Sequence, residues 1–286
     1  MTAKIPVRLG KIQETLLLPL WGRAQESKKP DPKLVDSGAV RIIEELDYDF
    51  TAIAKNISAI SQLAWVARSL HTDNTIIRFL EVHPDASVVN LGCGLDTTFE
   101  RVDNGRLRFY NLDLPDVIEM RNRFIGHAAR NTVITASIME QRWLDQIDDR
   151  NGLLFIAAGV FYYIQMEELQ AFFKVLAERF ASCDIFFDMA SPRGMKVANE
   201  KIIEGGGMDE TAILKWGLSS AKTFEKWDRR IRVIREFPMF RGFRKGYPFR
   251  IRNGLWLTDF LKIMSMVHLR IETLNHYMDK THLQSR

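Results

Sequence analysis

The chain has 286 residues, 46% of them apolar, and a net charge of +4. That is enough apolar material for one large α/β domain or two small ones. No apolar run approaches the roughly 18 residues of a membrane span, and the N-terminus lacks the basic start and apolar block of a secretory signal; a cytoplasmic protein with no membrane partner is expected. Cys93 and Cys183 are the two cysteines, too few for a disulfide framework or a zinc site, so free thiols and no metal are expected.

In chain order, apolar residues at three- and four-residue spacing predict helices over 38–46, 51–70 and 74–81. The turn-rich stretch 24–36, with Pro30 and Pro32, is a candidate tether. From residue 86 short apolar runs alternate with helical stretches, giving strands at 86–91, 107–112, 132–136, 153–157 and 184–189. That alternation predicts an α/β fold with a doubly wound, mostly parallel sheet. The pattern breaks over 191–226, rich in glycine and methionine around Gly205 and Met208, which reads as an inserted lid. A strand at 233–240, a helix at 258–266 and a strand at 267–274 would close the sheet with an antiparallel end. The layout expected is one domain: a helical cap (1–84), a ligand-binding core (85–190), the lid (191–232) and C-terminal strands and helix (233–286).

The apolar run 86–91 ends in Gly92, Cys93 and Gly94, followed by Asp96 and Thr97. Glycines there let the backbone turn sharply and approach a ligand closely. A second apolar strand ends in Asp113, about 20 residues on, the spacing of a carboxylate that holds ribose hydroxyls; capping the next helix is its alternative role. A dinucleotide fingerprint needs a third glycine where Thr97 stands, and Asp96 at the helix start would repel a pyrophosphate. A nucleoside carrying an ammonium or sulfonium, such as S-adenosylmethionine, suits that charge; alternatively, Asp96 simply caps the helix. Cys93 fills the turn or, less economically, serves as a nucleophile.

Positive charge gathers late, at Arg229, Arg230, Arg232, Arg235, Arg241, Arg244, Lys245, Arg250 and Arg252. The alternation around Ile231 and Val233 reads as the solvated face of a strand; binding of nucleic acid or an acidic substrate is the other reading. His127 and His276 are unplaced candidates for a general base.

The segments carrying 14–24, 91–97, 112–115, 137–143, 157–163 and 215–217 together resemble the leucine carboxyl methyltransferase family, within it the bacterial polyketide-type O-methyltransferases. The resemblance implies a class I S-adenosylmethionine-dependent methyltransferase with a Rossmann-like seven-stranded sheet and an oxygen acceptor on a small molecule. By the same match Arg68 falls on the methionyl carboxylate of the cofactor, Gly92 and Gly94 on its turn, Asp96 near its methionyl end, and Asp113 on its ribose. Leu114, Ser137, Ile138 and Ala158 fall on the rest of the cofactor site. Two positions depart from the family: Ala158 replaces an acid after the fourth strand, removing a partner for the cofactor's ammonium, and Ser137 replaces an adenine-facing aspartate. Phe161, Tyr162 and Tyr163, at the carboxyl edge of the sheet, are expected near the reaction centre, with Tyr162 and Tyr163 orienting the acceptor oxygen. Met208, Trp216 and Trp227 either line an apolar acceptor pocket or pin the lid. The expected activity is methylation of a carboxylate or phenolic oxygen of a small aromatic or polyketide-like metabolite. The alternatives are a catalytically degenerate binding protein and a protein-carboxyl or RNA methyltransferase.

Overall fold

Short apolar runs buried on both faces become the central strands, and the glycine turn sits where the first of them ends. In the computed structural model, which describes residues 4–10, 12–126, 128–200 and 212–272, the N-terminal region holds β1 (Ile5–Pro6), α1 (Leu17–Ser27), α2 (Ser37–Glu45), β2 (Leu46–Asp47), α3 (Thr51–Asn56) and α4 (Ala59–Val82). The chain then alternates through β3 (Ser87–Leu91), α5 (Thr98–Val102), β4 (Arg108–Asp113), α6 (Pro115–Arg121), β5 (Asn131–Thr135), β6 (Leu153–Ala157), α7 (Met166–Arg179) and β7 (Ser182–Ala190). It ends with α8 (Pro192–Ala198), α9 (Lys222–Glu225), β8 (Ile231–Pro238), α10 (Phe249–Phe260) and β9 (Met264–Glu272).

Seven strands form one sheet in the order β5-β4-β3-β6-β7-β9-β8. All neighbours up to β7 are parallel, and β9 runs antiparallel between β7 and β8. The fold is thus the doubly wound α/β sheet expected from the alternation of elements. Every residue of β3 and β6 is buried, as parallel strands covered on both faces must be. One face packs Phe155, Phe187 and Leu269 against Phe173 and Leu176 of α7. The other packs Val88, Ile156 and Phe186 against Val66, Ala67 and Ile76 of α4 and Leu255 of α10. Strand order reverses at β3, since β4 and β6 flank it on opposite sides; open α/β sheets bind ligands beyond the carboxyl ends of strands at such a point.

Several elements differ from expectation. The candidate tether is instead the last turns of α1 and a pinned loop: Arg23 Nε donates to Asp36 Oδ2 at 2.8 Å, and both side chains are buried. Pro19 falls in the first turn of α1, where its missing N–H costs no helical hydrogen bond. The helix expected over 51–70 breaks at Ile57, and Ser58 caps a new one by accepting from Ser61 N at 3.1 Å. That new helix runs unbroken through residues 71–73, because Asp73 is buried against Arg101 of α5 at 2.7 Å. The helix expected over 258–266 is displaced: α10 ends at Phe260, Lys262 takes φ +50°, and Met264 already starts β9. A left-handed residue is a usual helix terminator, but glycine is its usual bearer and none stands there.

Candidate active site

The turn after β3 is built by backbone that only glycine takes easily: Gly92 has φ +63° and Gly94 φ +49°. A Cβ on Gly92 would press to 2.7 Å from Val160 Cγ2. Asp113, at the end of β4, holds this turn, accepting from Gly94 N at 2.7 Å through Oδ2 and from Leu114 N at 2.8 Å through Oδ1. Burial raises its pKa against these two bonds. Each oxygen keeps a lone pair for a further donor. Arg121 of α6, 2% exposed, fixes the other side of the turn through Gly94 O at 2.9 Å and Asp96 O at 2.7 Å.

Asp96 accepts from Thr98 Oγ1 at 2.7 Å and from Asn90 Nδ2 at 3.2 Å. Arg101 Nη2 lies 3.6 Å away and Arg23 Nη2 4.0 Å away. Burial alone would raise this carboxyl, but Arg23 and Arg101 outweigh it and the pKa falls to about 2. Asp96 receives Thr98 N at 3.2 Å at the start of α5, as the capping reading expects, and it also stands on the cavity wall.

Arg68 of α4 and Tyr162, in the short turn Phe161–Tyr163 after β6, converge on Asp188 of β7. Arg68 Nη1 donates to Asp188 Oδ2 at 3.1 Å and to Tyr162 Oη at 3.2 Å. Asp188 Oδ1 accepts from Gly159 N at 2.6 Å. Burial pushes the Tyr162 phenol well above its ordinary value, with Asp188 adding to it, and burial raises Tyr163 as well. Both hydroxyls therefore stay protonated at neutral pH; Tyr162 Oη accepts from Arg68 and donates to Asp188 Oδ2 at 3.4 Å. Tyr163 stands edge-on to Tyr162, ring centroids 4.9 Å apart.

These groups share one cavity of about 580 Å³, within the size range of small-molecule sites. Arg68, Gly92, Gly94, Asp96, Asp113, Leu114, Ser137, Ile138, Ala158, Tyr162 and Tyr163 all stand on its wall. Phe161 does not line it; fully buried, it packs on Phe187, centroids 5.1 Å apart. Nor do Trp216 and Trp227. Trp216 Nε1 donates to Ile164 O at 3.0 Å, and Trp227 lies 4.5 Å from Phe224, so both pin their segment to the core. Leu214, Val197 and Ala198 supply the apolar wall from that region instead. Met208, His127 and His276 lie outside the described residues. Cys93 is buried and its thiol is pushed up by burial, which suits a space-filling role and not a nucleophile. In the late basic stretch Arg230 is clamped on Asp228 at 2.6 Å and Arg235 stacks on Phe237 at 4.4 Å.

Sequence reasoning missed Asp188, Gly159 and Arg121. Asp188 carries a legible sign, a lone carboxylate inside the apolar run Ile185–Ala190 that must find a buried partner. Nothing local distinguishes Arg121 from a surface arginine.

The donor set fits S-adenosylmethionine. Asp113 offers free lone pairs where ribose hydroxyls would sit. Leu114 and Ile138 give an apolar pair for a base, with the Ser137 hydroxyl beside them; Ser137 Oγ accepts from Met139 N at 3.3 Å and keeps its proton to donate. Arg68 offers a guanidinium, and no histidine or lysine stands among the described residues on the wall. The sequence profile of the leucine carboxyl methyltransferase family matches residues 17–177. The tetracenomycin polyketide synthesis O-methyltransferase TcmP of Streptomyces glaucescens is 30% identical over 221 residues, 77% of this chain and 80% of that one. The S-adenosyl-L-methionine-dependent methyltransferase dpfgK of Gibberella zeae is 24% identical over 189 residues, 61% of this chain and 63% of that one. In fold, a DUF574 family protein from Streptomyces avermitilis aligns with a TM-score of 0.57 at 11% identity, covering 92% of this chain and 96% of that one. The chain belongs to the leucine carboxyl methyltransferase family and is an S-adenosylmethionine-dependent O-methyltransferase.

Proposed function

We propose that the methyl acceptor is an ionised oxygen, a carboxylate or an acidic phenol, on a small aromatic or polyketide-like molecule. The observation that carries this reading is the mixed lining of the cavity that holds these groups. Its wall carries Asp113, the glycine turn and Arg68 together with the apolar side chains of Ile60, Val197, Leu214, Met239, Phe240 and Met264. An apolar acceptor with one reactive oxygen matches that lining.

When bound, the cofactor supplies a methyl group on a sulfonium, an electrophile that needs only a correctly placed nucleophile. The protein's part is positioning, which in favourable cases removes about 7 kcal/mol of barrier. Arg68 and Asp113 hold the cofactor's two ends, and the aromatic rings of Tyr162 and Tyr163 border the space between them. Tyr163 orients the acceptor oxygen as a hydrogen-bond donor. A carboxylate, with pKa about 4, arrives ionised and needs no base, which agrees with two tyrosines held protonated. The product name of TcmP supports a polyketide-like acceptor here.

The test is methyl transfer from S-adenosylmethionine labelled in its methyl group to a panel of aromatic carboxylic acids and phenols. Base-labile esters or base-stable ethers on small molecules are expected. Label found only in protein or RNA would contradict the proposal.

A further inference from the structure

Position 158 on the cavity wall is an alanine, and the neighbouring strand brings a carboxylate, Asp188, to the same wall. Ala157 pairs with Phe187 across β6 and β7, and Ala158 and Asp188 are the residues that follow them in their chains. The Asp188 side chain is fully buried and stands on the cavity wall. Its hydrogen-bond partners belong to the site: Gly159 N through Oδ1, and Arg68 Nη1 and Tyr162 Oη through Oδ2, the last at 3.4 Å. Gly159 has φ +81°, and a Cβ there would collide with the Arg68 guanidinium. The arginine therefore lies directly against the backbone that Asp188 anchors.

We propose that Asp188 is a positioning residue for the amino-acid end of S-adenosylmethionine, acting through Arg68 and the Gly159 backbone. This rests on that cofactor occupying the cavity. The amino-acid end is a zwitterion, and a lone guanidinium would meet only its carboxylate. Asp188, with no exposed side-chain surface, acts through Arg68, whose guanidinium meets the carboxylate of that group. The bonds from Arg68 Nη1 to Asp188 and to Tyr162 hold that corner of the guanidinium in place, and a positioned arginine fork is what makes carboxylate recognition specific.

The experiment compares two ligands that differ only at that end. S-adenosylhomocysteine carries the amino-acid group, and 5′-methylthioadenosine lacks it. In calorimetric titrations of Asp188→Asn, affinity for S-adenosylhomocysteine should fall at least tenfold, while affinity for methylthioadenosine stays within about threefold of the unsubstituted protein. A merely structural aspartate would weaken both ligands alike or neither, and either result overturns the proposal. Failure of the unsubstituted protein to bind S-adenosylhomocysteine would instead overturn the cofactor site itself. Should Asp188→Asn not fold, the double variant Arg68→Met, Asp188→Leu removes both charges together and strands neither in the interior. It should show the same split between ligands, and its failure to fold as well would count against the proposal.

Discussion

Gly159 has no side chain, and that absence is what lets the Arg68 guanidinium lie on the chain beside β6. Substitution Gly159→Ala forces a methyl group into the arginine at φ +81°. The expected outcome is a stability loss of about 1–3 kcal/mol in urea denaturation, together with S-adenosylhomocysteine binding weakened at least tenfold. Unchanged binding would mean that Arg68 does not serve the cofactor. Much of the site was legible at this scale, because turn glycines and a strand-end carboxylate have fixed backbone jobs: Gly92, Gly94 and Asp113 stand where their spacing put them. Asp188 and Arg121 escaped, because their partners are remote in the chain. Asp188 lies 120 positions from Arg68, and Arg121 reaches back to Gly94 across 27.

At the scale of elements, the N-terminal helices are joined to the cofactor turn by one buried ionic network. Asp36, the cap of α2, accepts from Arg23 of α1, from Arg101 of α5 and from Thr97 beside the turn, at 2.8, 2.8 and 2.6 Å. Arg101 also grips Asp73 of α4 at 2.7 and 3.0 Å. Breaking such a network from one side leaves a buried charge without compensation, so Asp36→Ala should destabilise the fold by about 3–5 kcal/mol. Burial would raise the Asp36 carboxyl, but Arg23 and Arg101 hold it below its ordinary value of 3.8, as they hold Asp96 at about 2. A depressed folded-state pKa means that the unfolded chain takes up protons first. The stability from these two groups is therefore complete above about pH 4 and is lost as pH falls toward 2. Urea midpoints measured between pH 5 and 2.5 should drop steeply, and Asp36→Asn should flatten the slope; an identical slope would remove Asp36 from the account. The network also explains where helix prediction failed. Residues 71–73 look like a break in an apolar pattern until Arg101 arrives from another element to satisfy Asp73.

For the whole molecule, the sheet was the most legible level, because strands buried on both faces declare themselves as short, mainly apolar runs such as 153–157 and 185–190. The C-terminal elements were less so. The run from Phe260 to Val267 is mostly apolar, broken only by Lys262 and Ser265, and passes from helix to strand with no glycine or proline to mark the change. What the assembled fold adds is convergence. Residues from α4, the ends of β3, β4 and β6, and β7 meet at one reversal of strand order and share one chamber with apolar side chains. The central claim is that this chamber is a working cofactor site despite alanine at position 158. It is tested most directly by calorimetric titration of the purified protein with S-adenosylmethionine. The account predicts one site per chain with a dissociation constant in the micromolar range, and no detectable binding up to millimolar ligand would contradict it.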